Sequence, residues 1–473
     1  MNTKLTQKLL PVLIASACLL PLQAFAQLTT VTLSDVAKQA IESNPEVQAT
    51  WYAFSGAGHD VDAQRAGYRP VIDFTAGYGH EWRSGPGYTG KKEFSGGAAQ
   101  ISLTQMLYDG FRTRSEVERF SNAQLVRYFE LMEAVEGTAL AAMNAYEDVM
   151  RFRELVRLSE ENLEEHIAVF NQIEESALAG VARRADLEQI TGRLSLSESN
   201  LLTDISNLHD VSARYLRIVG ELPPVNMAPA TLDDSKIPAN IREALQLAYQ
   251  GSPSFHAALR NIEASQSAVN TEKSNFRPRL NLTARYGTQD TDDQGFSNRR
   301  DDGRIALEFK YNLYNGGRDQ ATLRRAYDNV NQAKGLRDKA CVDMRQTLQI
   351  AFNDIRKLDE QLPVLNQHRI SSDRVRTAYK DQFDIGQRTL LDVLDSENEY
   401  FQASRAYVNA MYDRSIASGR TLTAMGQLLP ALNIVRDGLP NLADLGAEPM
   451  IVDAETACPN YDVNDALTRT GLR

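Results

Sequence analysis

Apolar and polar positions alternate with period two in four short stretches of the chain. Ile72, Phe74, Ala76, Tyr78 and Trp82 alternate with Asp73, Thr75, Gly77, Gly79 and Glu81, and Ile101, Leu103 and Leu107 alternate with Ser102 and Thr104. A second pair sets Leu280, Leu282, Ala284 and Tyr286 against Asn281, Thr283 and Arg285, then Ile305, Leu307, Phe309, Tyr311 and Leu313 against Glu308, Lys310 and Asn312. Such alternation predicts strands with one apolar and one polar face, at 71–82, 98–108, 279–288 and 303–314. The intervening segments, Arg83 to Gly96 and Thr288 to Asp302, are rich in Gly, Asp, Asn and Lys and predict solvent-facing hairpin loops.

The remaining chain has helical texture. Residues 110–179 and 317–385 mix charged and apolar positions with almost no breaker, which predicts two rods of roughly 100 Å each. Rods of that length have to pack against other helices along their whole extent. Pro363 stands inside the second rod, where it removes a backbone donor and is expected to bend or interrupt the helix. After Gly180 and Gly386 the chain turns back into returning helices, 183–219 and 389–427. Leu187, Leu194, Leu201, Leu208 and Tyr215 recur every seven residues in the first, and Val393, Tyr400 and Tyr407 continue that seam in the second. This is the spacing of a coiled-coil seam, off which an ordinary amphipathic helix drifts.

The two sets of elements are copies of one another. Arg65-Ala-Gly-Tyr-Arg-Pro70 returns 208 residues later as Lys273-Ser-Asn-Phe-Arg-Pro278, and Leu107-Tyr-Asp-Gly-Phe-Arg112 returns 206 residues later as Leu313-Tyr-Asn-Gly-Gly-Arg318. The chain therefore divides into a first repeat, 27–224, a proline-rich linker, 225–240, a second repeat, 241–430, and a tail, 431–473. Each repeat reads as helix, strand, loop, strand, long helix, tip turn and returning helix.

Composition places these elements. Residues 1–26 have the form of an export leader, with Lys4 and Lys8 before the apolar run Leu9 to Leu22 and Ala24-Phe25-Ala26 before Gln27. Losing Lys4 and Lys8 with the leader moves the formal net charge from −11 to −13, which argues against a nucleic-acid partner. No segment after the leader approaches the roughly 18 to 20 apolar residues of a spanning helix, so any membrane crossing falls to the strands. Strands near ten residues suit a tilted membrane strand as well as a soluble sheet with one wet face, and the long rods beside them favour the membrane. Four strands cannot close a barrel, since roughly eight are needed, so several chains must pool theirs, and three chains give twelve. The six histidines show no ligand spacing, and neither a nucleophile elbow nor a phosphate loop occurs, so no cofactor, metal or enzymatic activity is expected.

The duplication, the Leu-Tyr-Asn-Gly-Gly-Arg exit from the last strand and the segment Phe383-Asp-Ile-Gly-Gln-Arg-Thr-Leu-Leu-Asp-Val-Leu-Asp395 together resemble the TolC-type outer membrane channel-tunnel family. The resemblance implies an α+β membrane protein and a homotrimer. Four strands per chain would contribute to a twelve-stranded barrel in outer membrane lipid, continued by a long periplasmic α-helical coiled-coil barrel. It implies an exit duct that meets a periplasmic adaptor protein and an inner-membrane transporter, with the tip turns at Gly180 and Gly386 as the docking surface. Type I protein secretion through an ABC-type transporter is the expected use. Multidrug efflux is the alternative, and a coiled-coil envelope scaffold without a pore is the reading from another class.

The same resemblance assigns the tip. Asp392 and Asp395, three apart on one helix face, would form the entrance constriction and a cation-attracting ring in the trimer, in which mutual repulsion raises some carboxyl pKa values. Arg388 is expected to hold the entrance closed with Asp186 as its acidic partner. Phe383 stands where the family has a tyrosine, and Arg414 lies one turn beyond a family arginine position occupied here by Met411. Cys341, in the second rod near the expected belt, and Cys458, in the tail, could form a disulfide between tail and belt or remain two thiols.

Overall fold

A computed structural model gives the fold and describes residues 30–85, 90, 92–293, 296–434, 440–448, 450 and 458. The leader 1–26 and most of the tail 431–473 lie outside the described residues. The first repeat begins with two helices, α1 (Leu33–Ser43) and α2 (Pro45–Arg65), where the sequence suggested one. Asn44 separates them: its side chain caps α2 by accepting from the Glu46 amide at 2.8 Å, and Pro45 takes the first helical position, where its missing donor costs nothing.

Strands β1 (Val71–Arg83) and β2 (Lys92–Tyr108) follow, then the 67-residue helix α3 (Arg112–Leu178) and the returning helix α4 (Arg184–Val219). The second repeat contains α5 (Ile241–Gly251), α6 (Pro253–Lys273), β3 (Arg279–Asp293), β4 (Phe296–Lys310), the 67-residue α7 (Arg318–Asp384), α8 (Leu390–Ala424) and the short α9 (Leu428–Ala431). Helix α7 runs unbroken through Pro363, contrary to the expected interruption. Leu362 and Leu365 beside the proline pack with Ile355, Leu358, Ala410 and Ala417, so side-chain packing on α8 offsets the missing backbone bond.

The four strands form one antiparallel sheet in the order β1-β2-β3-β4. Several strand boundaries differ from expectation, among them the end of β3 at Asp293 rather than 288. Strand β2 begins at Lys92 and β4 at Phe296, inside segments that read as loops, while Tyr311 and Leu313 lie beyond the end of β4. Just past these segments Gly97 pairs with Tyr78 and Gly303 with Tyr286, and a Cβ at either position would stand at ordinary contact distance, 3.5 or 3.4 Å, from the tyrosine ring. In register, Ile72, Leu103, Ala284 and Ile305 form one row across the apolar face, and Asp73, Ser102, Arg285 and Arg304 form the row on the opposite face. Among the described residues the outer edges of β1 and β4 have no strand partner.

The rods lie side by side: α4 packs on α3, α3 on α8 and α8 on α7. The largest core sits at mid-rod, where α1, α5, α9 and the linker wrap around α3, α7 and α8. There the buried Tyr146 donates its hydroxyl to the carbonyl of Val31 at 3.0 Å, beside that of Ala228. Cys341 of α7 and Cys458 of the tail are joined in a disulfide buried in the same core. Gly251 and Gly426 touch backbone to backbone in this belt, since a Cβ on Gly251 would lie 2.2 Å from the Met425 carbonyl oxygen. Among the described residues no helix is long and apolar enough to cross a membrane.

The disulfide closes a loop of 117 residues. Its removal in Cys341→Ser is expected to destabilise the belt by about 2–4 kcal/mol, read as a lower thermal midpoint of the detergent-solubilised protein. A reductant should lower the midpoint of the parent chain and leave that of the variant unchanged.

Candidate channel entrance

Both rods end in the same turn. The Gly180 amide donates to Ala177 O at 3.0 Å and Val181 N to Ser176 O at 2.9 Å; in the second repeat Gly386 N donates to Phe383 O and Gln387 N to Gln382 O, both at 2.8 Å. Gly180 (φ +75°) and Gly386 (φ +78°) occupy the left-handed position that closes such a helix end. The turns expose Leu178, Val181 and Ile385 at the extreme end of the rods.

An aspartate starts each returning helix. The Asp186 carboxylate accepts from Arg183 N at 3.3 Å, and the Asp392 carboxylate accepts from Thr389 N at 3.1 Å and from the Thr389 hydroxyl at 2.8 Å. These bonds to the Thr389 hydroxyl and amide, with Arg388 nearby, hold the Asp392 carboxyl below the ordinary aspartate range. Within one chain the direction is therefore opposite to the rise expected from a repelling ring.

Within one chain, Arg388 and Asp186 do not pair. Arg388 donates to Gln382 Oε1 at 2.9 Å, lies over the Tyr379 ring at 4.1 Å and stands 4.0 Å from Asp392, while Asp186 is held by its own helix start and by Arg183 at 3.4 Å. Within the chain Arg388 is thus engaged by the end of α7 and by Asp392, and Asp186 by Arg183. Asp395 instead reaches across the repeat to Arg193 of α4 at 2.9 Å. Phe383 packs at the edge of a small tip core formed by Val169, Ile173, Ile190, Leu390 and Leu394. Arg414 is no tip residue. It pairs with Asp234 of the linker and, at 3.0 Å, with Asp359, tying α8 to the belt.

Sequence reasoning missed a second charged level. In the buried stripe of α4, every seventh residue is Ile190, Ser197, Asp204 and Val211, three residues on from the leucine seam and more deeply covered. Asp204 is 1 % exposed. It accepts from Arg405 of α8, with Nη2 to Oδ1 at 3.0 Å, and from the Ser159 hydroxyl of α3. A carboxylate in an otherwise small or apolar heptad stripe was the available signal. Further ties join the two hairpins: Lys380 to Glu165, Gln172 to Asp384 at 3.3 Å, and Arg151 to Asp413 at 2.8 Å. Burial pushes the Glu397 carboxyl of α8 upward against the pull of Arg376, 3.2 Å away.

A long internally duplicated rod pair, a sheet with two open edges and an acidic tip are the geometry of a pooled tube. The family model of the outer membrane efflux protein matches residues 36–221 and 244–427, one segment in each repeat. The chain belongs to that family. As an outer membrane efflux protein it is an outer-membrane channel whose rods belong to a long periplasmic helical barrel. It is similar to the outer membrane efflux protein BepC of Brucella suis, 26% identical over 401 residues that cover 84% of this chain and 86% of the relative. It is also 23% identical to the outer membrane protein TolC of Escherichia coli over 440 residues, 89% of this chain and 87% of that protein. Among solved structures, CusC superposes with a TM-score of 0.74 at 17% identity, covering 84% of this chain and 93% of that one. The open-state MtrE channel of Neisseria gonorrhoeae gives 0.70 at 17%, covering 84% and 89%.

Two outcomes are expected. Asp204→Ala leaves the partly exposed Arg405 without its acid and should destabilise the protein by about 1–3 kcal/mol in denaturant unfolding, whereas Asp204→Ala with Arg405→Leu should recover most of that loss. Because the folded Asp392 carboxyl is depressed, its contribution is complete above the ordinary aspartate range near pH 3.9 and is lost as pH falls through the lower folded value. Thr389→Ala removes the first-named cause, so the acid limb of channel conductance should move to higher pH.

Proposed function

We propose that three copies of the chain form one continuous duct from the periplasm to the outside, serving as the exit of a tripartite export system. The observation that carries this reading is the four-stranded sheet whose two outer edges lack partners among the described residues. Lipid leaves no water to satisfy those backbone groups, and a closed ring of strands from several chains does. Each chain would add four strands to a twelve-stranded barrel and two helical hairpins to the tunnel. The exposed Leu178, Val181 and Ile385 around Gly180 and Gly386 offer an apolar surface to the hairpins of a periplasmic adaptor, which links the duct to an inner-membrane transporter.

Asp392 and Asp395, repeated threefold, set carboxylates around the entrance and favour cations there. The neutralised pair Asp392→Asn with Asp395→Asn is expected to lower cation-over-anion permeability severalfold in planar bilayers. An unchanged reversal potential would remove these residues from the entrance.

Type I protein secretion is the use we assign, supported by the tip segment Arg388 to Asp395 and its likeness to secretion members. Drug or solvent efflux is the second reading, favoured by the names of relatives such as BepC and the solvent efflux pump protein SrpC of Pseudomonas putida. Deleting the gene separates them: loss of one large secreted protein without drug sensitisation is expected, and drug sensitisation with intact secretion would reverse the assignment.

A further inference from the structure

We propose that β4 of one chain joins β1 of the next in a single register, specified by opposite charges on the inner wall of the barrel. This rests on the three-copy reading above and names the residues that make its seam. Between the repeats β1 maps onto β3 with a shift of 208, and β2 onto β4 with a shift of 206. The two hairpins obey these shifts pair by pair: Val71 opposite Thr104 becomes Arg279 opposite Lys310, and Gly79 opposite Gly96 becomes Gly287 opposite Asp302. The seam between the hairpins, β2 against β3, translates by the same shifts into β4 against β1 of the next chain.

Translation of that seam brings charges together. Ala98 opposite Gln289 becomes Arg304 opposite Glu81 of the next chain, and Gly96 opposite Thr291 becomes Asp302 opposite Arg83. Both new pairs are oppositely charged, where the parent pairs within the chain carry no charge. They fall on the polar face of the sheet, which bears Asp73 and Arg285. A pleated strand keeps its apolar side chains outward only if it slips by two residues at a time. One such slip sets Asp302 opposite Glu81 and Arg300 opposite Arg83, against the single gain of Lys310 opposite Asp73. The other sets Arg304 opposite Arg83 and leaves Glu81 opposite Ala306. Like charges directly opposite are destabilising, and of the three registers only the translated one avoids them.

The same seam accounts for the end of β4. Strand β2 runs to Tyr108, opposite Leu280, whereas β4 stops at Lys310 although Tyr311 and Leu313 keep its alternation. Strand β3 begins at Arg279, so among the described residues 311–314 have no strand beside them. Translation sets Tyr311 opposite Phe74 and Tyr314 opposite Ile72 of the next chain, which extends β4 to Tyr314 on assembly. Tyr311 and Tyr314, 49% and 84% exposed in the single chain, thereby gain apolar neighbours.

The test reads the register by disulfide formation in the full-length protein purified in detergent, where the native Cys341 and Cys458 are already joined. Lys310→Cys is combined in turn with Thr75→Cys, Asp73→Cys and Gly77→Cys. Directly opposite side chains lie about 5 Å apart and diagonal ones about 7–8 Å, so Lys310→Cys with Thr75→Cys is expected to link chains about tenfold faster than either neighbouring combination. Equal or faster linking through a neighbour, or no linking at all within a three-chain particle, overturns the register. For the charges, Glu81→Arg should lower the yield of SDS-resistant trimers severalfold, and Glu81→Arg with Arg304→Glu should restore it. A double variant as poor as the single one removes this ion pair from the seam. A particle mass other than three chains for the parent protein overturns the three-copy reading itself, which separates that failure from a wrong register.

Discussion

Backbone groups without partners govern this molecule. Along the outer edges of β1 and β4 a row of amides and carbonyls has no strand to bond among the described residues, and in hydrocarbon each such group costs several kcal/mol. Water could satisfy these edges in a soluble sheet, but the apolar row of Ile72, Leu103, Ala284 and Ile305 belongs against lipid. The sheet is therefore complete only in company. Everything below it follows from that demand, because strands that join a ring bring their attached rods into a ring as well.

The rods then meet a different problem, which is register. Helices of 67 residues packed by small and apolar side chains can slide in steps of a turn at little cost. The mid-rod belt fixes the upper half through the Tyr146 hydroxyl, the close approach of Gly251 and Gly426, and the Cys341–Cys458 link. Below the belt no wrapping segment reaches, and charged side chains that cross from hairpin to hairpin take over. The buried Asp204 with Arg405 is costly to desolvate, and its value lies in geometry more than in stability.

Much of this was legible in the sequence. Period-two alternation located the strands, the absence of breakers located the rods, and repeated Gly and Pro positions revealed the duplication. What was not legible had a common cause: partners remote in sequence. The polar segments before Gly97 and Gly303 read as loops because nothing local shows that Lys92 pairs with Arg83 and Phe296 with Asp293. Arg388 and Asp186 looked like natural partners, yet within one chain Arg388 bonds Gln382 at the end of α7 and Asp186 bonds Arg183 at its own helix start. Asp395 found Arg193 instead, a residue with no local feature to mark it. The leucine seam was visible, but the deeper stripe three residues on was hidden because Ser197 and Asp204 dilute its apolar character.

The crossing ion pairs also make the two halves unequal. In each, one repeat supplies the acid and the other the base: Arg193 with Asp395, Asp204 with Arg405, Arg151 with Asp413. A ring built from six copies of the first repeat alone would set Arg193 beside Gln189 and Asp204 beside Ser199, and no pair would survive. The duplication therefore supplies the tube's shape, while the charges that differ between its copies make each repeat the other's required partner.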